Sequence, residues 1–270
     1  MRSRAALVLV AVVAILALAP LAHAAPGDRV LVYGDSLTAE AKPYIEGFAQ
    51  EVGHTHALVR GAPGGATCDL FDLMGYDATH ERPTIVVVQF SGNNLTRCMQ
   101  DRQGKALTGA AWLAKYRADT IHAIQLLRPT GAQVWLGTSP VGLMADAKHQ
   151  DDVYRLAAMY RDLAARYPNV HVTDSAAAVL AFGRYWTRTL PCLRNEPCTQ
   201  VDTNAQRANQ VRATDGVHFC PVPYPNGGTC PVWSSGAMRF GVGLVLPGLQ
   251  QARMFDRARF DRSSFAGWGQ

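Results

Sequence analysis

The sequence predicts an α/β protein built on an open, mostly parallel sheet with helices on both faces. Three observations predict it. Short apolar runs alternate with longer segments of helical periodicity in the order β-α-β-α-β. The clearest run, Ile85-Val86-Val87-Val88, shows no polar alternation, as suits a strand covered on both faces. The two longest intervening segments carry apolar residues at spacings of three and four.

In chain order, Val30-Leu31-Val32-Tyr33 runs into Gly34-Asp35-Ser36. The first strand therefore stops abruptly, with Ser36 exposed at the sheet's carboxyl edge and fixed by the core behind it. Residues 39–52 have helical composition, with Pro43 read into an early turn. Residues 57–59 form the second strand and empty into a loop with Gly61, Gly64 and Gly65, where backbone can approach a ligand closely. A short helix is expected over 69–74. The third strand, 84–90, ends in Ser91-Gly92-Asn93-Asn94.

A long helix follows over 109–128. Leu113, Tyr116, Thr120, Ile124 and Leu127 share one stripe, and Pro129 and Gly131 stop it. The fourth strand covers 133–138. The next helix covers 151–167, with Val153, Leu156, Tyr160 and Leu163 inward, and the fifth strand covers 170–173. Residues 183–214 are polar and too poor in apolar residues for a second core, so they read as a long stapled loop within one domain. A last helix is expected over 234–245, and the tail after Met254 carries no reading.

Residues 1–24 stand apart. Arg2 and Arg4 precede an apolar run over 5–19, and Ala22-His23-Ala24 has the small-x-small pattern of a signal-peptidase site. The run is short for a membrane span, so cleavage after Ala24 is favoured over an uncleaved anchor. Residues 25–270 are then one domain. Without the two leader arginines the formal charge drops from +5 to +3. The remaining basic residues are spread out, which argues against nucleic-acid binding.

The six cysteines are an even count behind a leader and read as disulfides. Spacing favours sequential pairing: Cys68–Cys98, Cys192–Cys198 and Cys220–Cys230. No Cys-x-x-Cys or His-x-x-x-His pair accompanies them, so no metal is expected. The glycine loop lacks a P-loop lysine and a Gly-x-Gly-x-x-Gly pattern, so no nucleotide cofactor is expected either.

Four polar signatures stand at the carboxyl ends of predicted strands or on loops beyond them: Ser36, the glycine loop, Asn93, and Asp215 with His218. A serine hydroxyl is a poor nucleophile until a base takes its proton, and His218 can do so near neutral pH. Asp215, three residues earlier, can accept from the imidazole Nδ1 and fix its tautomer. An acyl transfer also needs donors for the developing oxyanion. The N–H of Ser36, the N–H of Gly65 and the side-chain amide of Asn93 would supply three, each worth on the order of 3 kcal/mol. The Gly-x-Ser-x-Gly elbow of ordinary α/β-hydrolases is absent.

Gly34-Asp35-Ser36-Leu37, Gly61-x-x-Gly64-Gly65-x-Thr67, Gly92-Asn93-Asn94 and Asp215-x-x-His218 resemble, in this order, the four blocks of the SGNH (GDSL-type) hydrolase family. The resemblance spans residues 34–218. It implies a flavodoxin-like, three-layer α/β/α sandwich with a parallel sheet of about five strands. It also implies a metal-free Ser-His-Asp mechanism on Ser36, His218 and Asp215. Asn94 stands where the family usually has Asp, which leaves the role of Asn93 untouched. In the glycine block Gly65 is preferred, because Gly-Ala-Thr matches the usual Gly-Asp-Thr, and Gly64 is the second candidate.

The activity so implied is that of a secreted or cell-envelope serine esterase, expected as a monomer. Its substrates would be lipid esters, small or medium acyl esters, or O-acetylated carbohydrate. Tyr185, Trp186 and the arginines of 183–214 suit a carbohydrate or anionic surface as well as an acyl chain. Two alternatives stand beside it: an O-acyltransferase acting on envelope glycans, and a non-catalytic envelope-binding domain on the same fold. A Cys68–Cys98 bridge would lock the glycine loop to the Asn93 loop.

Overall fold

The computed structural model describes residues 29–143, 147–198, 200–201, 207–222 and 230–264. The leader read over 1–24 lies outside the described residues. Five strands, β1 (Arg29–Gly34), β2 (His56–Gly61), β3 (Pro83–Gln89), β4 (Gln133–Gly137) and β5 (Val170–Thr173), form one sheet in the order β2-β1-β3-β4-β5. Every pairing in it is parallel. Strand side chains alternate between two faces, and here both are buried. Val30, Val32 and Val87 pack with Ile45, Phe48 and Phe240 on one side. Leu31, Tyr33, Val86 and Val88 pack with Tyr116, Ile124 and Leu156 on the other.

The covering helices are α1 (Ser36–Glu51), α2 (Phe71–His80), α3 (Gly109–Leu127), α4 (Ala147–Arg166) and α5 (Ser235–Gln251). This is the three-layer α/β/α arrangement expected from the sequence, with five parallel strands. Because β1 lies between β2 and β3, the chain leaves β1 towards one edge and comes back on its other side. Ligands of open α/β sheets bind in the crevice at the strands' carboxyl ends where the order reverses. Ser36 follows β1 and the 91–94 turn follows β3, so both open into that crevice.

The structure departs from the sequence reading in several places: α2 runs on to His80 where a helix over 69–74 is expected, and α4 begins at Ala147 where 151 is expected. The helix expected over 39–52 begins at Ser36, so Pro43 sits inside it and not in an early turn. The helix expected to stop at residue 245 continues to Gln251 through Pro247. Proline lacks the N–H that would bond the carbonyl four residues back, but that carbonyl, Gly243 O, accepts from Thr173 Oγ1 at 2.6 Å. Residues 183–214 are not structureless. β6 (Thr189–Pro191), β7 (Gln200–Val201) and β8 (Arg207–Gln210) form an antiparallel sheet in the order β6-β8-β7. Finally, the tail carries α6 (Arg257–Arg262), capped by Asp256. Phe255 and Phe260 lie 6.5 and 6.0 Å from the Phe48 ring, closing the core at that end.

The disulfides Cys68–Cys98, Cys192–Cys198 and Cys220–Cys230 are all present, in the sequential pairing. Among the described residues no helix is long and apolar enough to cross a membrane.

Candidate active site

Three residues from opposite ends of the sequence meet at the carboxyl edge of β1. His218 Nε2 lies 2.9 Å from Ser36 Oγ, and His218 Nδ1 lies 2.7 Å from Asp215 Oδ2. A carboxylate only accepts, so Nδ1 carries the proton and Nε2 is left as the acceptor facing the serine hydroxyl. Asp215 is itself held by its own turn, since Oδ1 accepts from the N–H groups of Val217 and His218 at 2.8 and 3.0 Å. Partial burial works to raise the Asp215 carboxyl. The hydrogen bonds from the His218 ring and the two backbone N–H groups outweigh that and hold it below the usual carboxylate range.

Two buried groups steady the segment that carries Asp215 and His218. Arg212 is fully buried and donates from Nη1 to Val217 O at 2.8 Å, with its guanidinium 5.0 Å above the Phe219 ring. Burial pushes the Arg212 guanidinium down to about 10, against the nearby charges of Glu40 and Asp215. Glu40, buried on α1, accepts from the N–H of Phe219 at 2.7 Å. Trp186 adds a third tie, donating from Nε1 to Gly216 O at 2.9 Å.

Beneath the serine, Asp35 has no exposed surface. It caps α1 by accepting from Leu37 N at 3.0 Å, and its other oxygen accepts from both N and Oγ of Ser91 at 2.5 Å. Burial raises the Asp35 carboxyl, and the donors of Ser91 and Leu37 oppose that rise. A second buried chain lies deeper. Thr38 Oγ1 donates to Gln89 Oε1 at 2.6 Å, and Gln89 Nε2 donates to Ser139 Oγ at 2.8 Å, joining α1 to the ends of β3 and β4. Gly34 is required by this crowding: a Cβ there would come within 2.1 Å of Thr38 Oγ1.

The loops bearing the expected oxyanion donors are also built in. The N–H of Ser36 lies in the first turn of α1, where no intrahelical acceptor exists. Asn93 Nδ2 lies 3.2 Å from Gly65 O and 3.4 Å from Asp35 Oδ2, so it bridges the two other loops. The backbone of Asn93 is held from α3, where Tyr116 Oη donates to its carbonyl at 2.8 Å. The N–H of Gly65 donates to Ala62 O at 2.8 Å, closing a turn in which Gly64 takes φ +72°. Cys68–Cys98 then links the glycine loop to the segment after Asn94, whose own amide donates to Leu107 O at 2.9 Å.

The chain belongs to the family described as protein of unknown function (DUF459). That family's model matches residues 29–224. No curated protein matches the chain. Solved structures match its fold across most of their length. A lipase/acylhydrolase from Enterococcus faecalis is 17% identical with TM-score 0.53, over 83% of this chain and 96% of that one. A catalytic mutant of an acetylxylan esterase from Geobacillus stearothermophilus is 16% identical with TM-score 0.53, over 82% and 93%. A GDSL-like lipase from Bacteroides thetaiotaomicron is 13% identical with TM-score 0.51, over 84% and 89%. The fold of this DUF459 member is thus that of the SGNH (GDSL-type) hydrolases, as the four sequence blocks suggested.

A cavity of about 420 Å³ is lined by Leu37 and Val217, the chain neighbours of Ser36 and His218, and by Ser91 and Asn93. Leu37, Leu95, Trp112, Val153 and Val217 give it apolar walls, while Asn93 and Asp152 are polar points on them. Neither Tyr185 nor Trp186 lines it, and no arginine of 183–214 does. Trp186 instead packs with Val141, Ala176 and Leu180, and the Arg184 guanidinium lies 5.6 Å from the Tyr185 ring. The sequence reading missed Asp35, Ser91 and Arg212 as parts of the site. Only the polar character of Asp35 and Ser91 at strand ends hinted at them.

Proposed function

We propose that this chain is an exported serine hydrolase that cleaves carboxylic esters of small or medium acyl groups through an acyl-enzyme. The observation that carries the reading is the unbroken chain from Asp215 through His218 to Ser36 Oγ, with hydrogen-bond distances of 2.7 and 2.9 Å. Ser36 Oγ attacks the ester carbonyl carbon as His218 Nε2 takes its proton. The tetrahedral intermediate collapses, the C–O bond to the alcohol breaks, and His218 protonates the departing alkoxide. Water then attacks the acyl-enzyme, giving its proton to His218. The acid leaves and Ser36 recovers its hydrogen. Asp215 keeps the imidazole in the working tautomer and stabilises its cationic form.

The oxyanion would be met by the N–H of Ser36, the side-chain amide of Asn93 and an N–H of the glycine loop. Gly65 is the preferred donor, with its N–H shared between Ala62 O and the oxyanion; Gly64 is the second candidate. Such donors act in an already ordered site, because their loops are tied to Asp35, to α3 and to each other.

On substrate, the apolar walls and the modest volume of the cavity support small or medium acyl groups or an acetylated sugar. Three disulfides support export, since such bonds persist in oxidising compartments. Export fits a leader over 1–24; the mature chain is read as a single domain over 25–270 and as a monomer.

Fluorophosphonate labelling of the folded protein, lost in Ser36→Ala, is the expected result, and no labelling of folded protein would overturn the enzyme reading in favour of a binding domain. Beside it, p-nitrophenyl esters of increasing chain length and acetylated xylan should show release of free acid that peaks at short or medium chains. Release of p-nitrophenol only when a glycan acceptor is present, with the acyl group recovered on the glycan and no free acid formed, would instead make it an acyltransferase.

A further inference from the structure

A second cavity, of about 540 Å³, runs along α5 between the disulfide-stapled turn at 193–195 and α6. It shares no lining residue with the cavity beside Ser36. Its apolar wall is the row Met238, Val242 and Leu246, one turn apart on α5, faced by Phe260. Arginines line the same space from three elements: Arg194 from the stapled turn, Arg239 from α5 and Arg257 from α6.

Arg239 is the informative one. Its side chain is 6% exposed, and it donates from Nε and Nη2 to the Glu196 carboxylate at 3.1 and 2.5 Å. Nη2 also donates to Pro191 O at 2.6 Å. All of these bonds run through Nε and Nη2, and Nη1 has no partner among the described residues. Arg239 lines the cavity, and Nη1 is the guanidinium donor left for a ligand there. Arg257 pairs with Asp261 through Nε, and no carboxylate among the described residues pairs with Arg194. Three cations against the carboxylates of Glu196 and Asp261 leave one positive charge in excess.

We infer that this cavity binds an amphiphile with one anionic head and one apolar chain, of the chemistry of a medium-chain alkyl carboxylate. The head accepts from Arg239 Nη1 and Arg194, and the chain lies along Met238, Val242 and Leu246. The volume falls within the range of about 300–1,000 Å³ usual for small-molecule sites. The Cys192–Cys198 bridge holds Arg194 in place, and Asn195 Nδ2 bonds Asp261 O at 3.1 Å, so the wall is ordered before a ligand arrives. This inference does not depend on the catalytic reading.

Calorimetric titration of the full chain with dodecanoate below its micellar concentration should give saturable binding, with dodecanol and dodecyltrimethylammonium at least about tenfold weaker. Val242→Trp, which fills the cavity, should abolish binding while leaving fluorophosphonate labelling at the parent's level. Arg194→Ala, at an exposed position that leaves the fold intact, should weaken binding about tenfold. Absence of saturable dodecanoate binding to the parent would overturn the inference. So would equal binding of dodecanol, or binding that neither variant changes, which would put the ligand elsewhere, including the cavity beside Ser36.

Discussion

Asp35, the residue before the proposed nucleophile, accepts both the N–H and the Oγ–H of Ser91 with a single carboxylate oxygen. This joins the end of β1 to the end of β3 at the switch point of the sheet. It makes the spacing between Ser36 and the Asn93 loop a property of the core. Asp35→Ala would strand the donors of Ser91 and Leu37 in a buried place, and should lower stability by about 3 kcal/mol in urea unfolding. The pH dependence follows from the direction of the shift. A carboxyl raised by burial contributes most when protonated, and that contribution is lost as pH rises from the unfolded carboxyl value through the raised folded one. Asp35→Asn stays neutral throughout. Its stability deficit relative to the parent should therefore be largest at the acid end and shrink as pH rises through that window.

Asp215→Asn tests how much the proton's position on His218 matters. The amide can donate towards Nδ1, which turns the tautomer over and removes the acceptor at Nε2. Ester hydrolysis should fall by roughly 10²–10⁴ in kcat with little change in KM, as for a triad acid whose geometry survives. Because the Asp215 carboxyl is held below the usual range, its ionised form and the tie to His218 persist above that range and fail only as pH falls through the lowered value. Circular dichroism of Asp215→Asn at neutral pH should match the parent, since the Asp215 side chain is half exposed.

What could be read in the sequence, and what could not, divides along the range of the interactions. The run Ile85-Val86-Val87-Val88 announces a doubly buried strand by its own composition, and Asp215-x-x-His218 announces its pairing within one turn. The stripes on α3 and α4 are likewise local patterns. Asp35 and Ser91 are 56 positions apart, and nothing in either neighbourhood names the other. Pro247 looks like a stop because the group that satisfies Gly243 O is Thr173, which sits on β5. Arg212 reads as one more surface cation in a polar stretch. Its burial follows from packing among α1, the 141 loop and Phe219, which no periodicity records. Residues 183–214 read as loop in the sequence for the same reason: their strands are only two to four residues long and their buried pair, Glu196 with Arg239, joins distant segments.

Arg212 should act as a positioning residue behind His218. Arg212→Met removes the donor to Val217 O and leaves the segment 213–218 held by Glu40, Trp186 and its own turn. Displacement of His218 by a fraction of an ångström should lower kcat by about ten- to a hundredfold and leave KM nearly unchanged, since no substrate-facing group is altered. Arg212→Lys, which restores a cation but not the forked geometry, should recover part of the loss. An equal drop in kcat and in fluorophosphonate labelling rate locates the defect in nucleophile activation. A loss of folded protein without either change in the folded fraction would make Arg212 a stability residue only.

The Cys68–Cys98 bridge separates the structural and functional consequences of a staple. Its two cysteines lie 30 residues apart, and they join the glycine loop to the segment following Asn93. Cys192–Cys198 spans only 6 and lies within residues 183–214. Replacing Cys68 and Cys98 together by serine should cost about 3–4 kcal/mol of stability, chiefly through the freed unfolded chain. It should also lower kcat more than it raises KM, because the oxyanion donors on the two loops would no longer share one frame. The Cys192→Ser, Cys198→Ser pair should cost less stability, the closed loop being shorter, and leave kcat at the parent's value. Urea midpoints and steady-state kinetics on the two double variants give both comparisons, and an undiminished kcat in the first would confine that bridge to stabilising the fold.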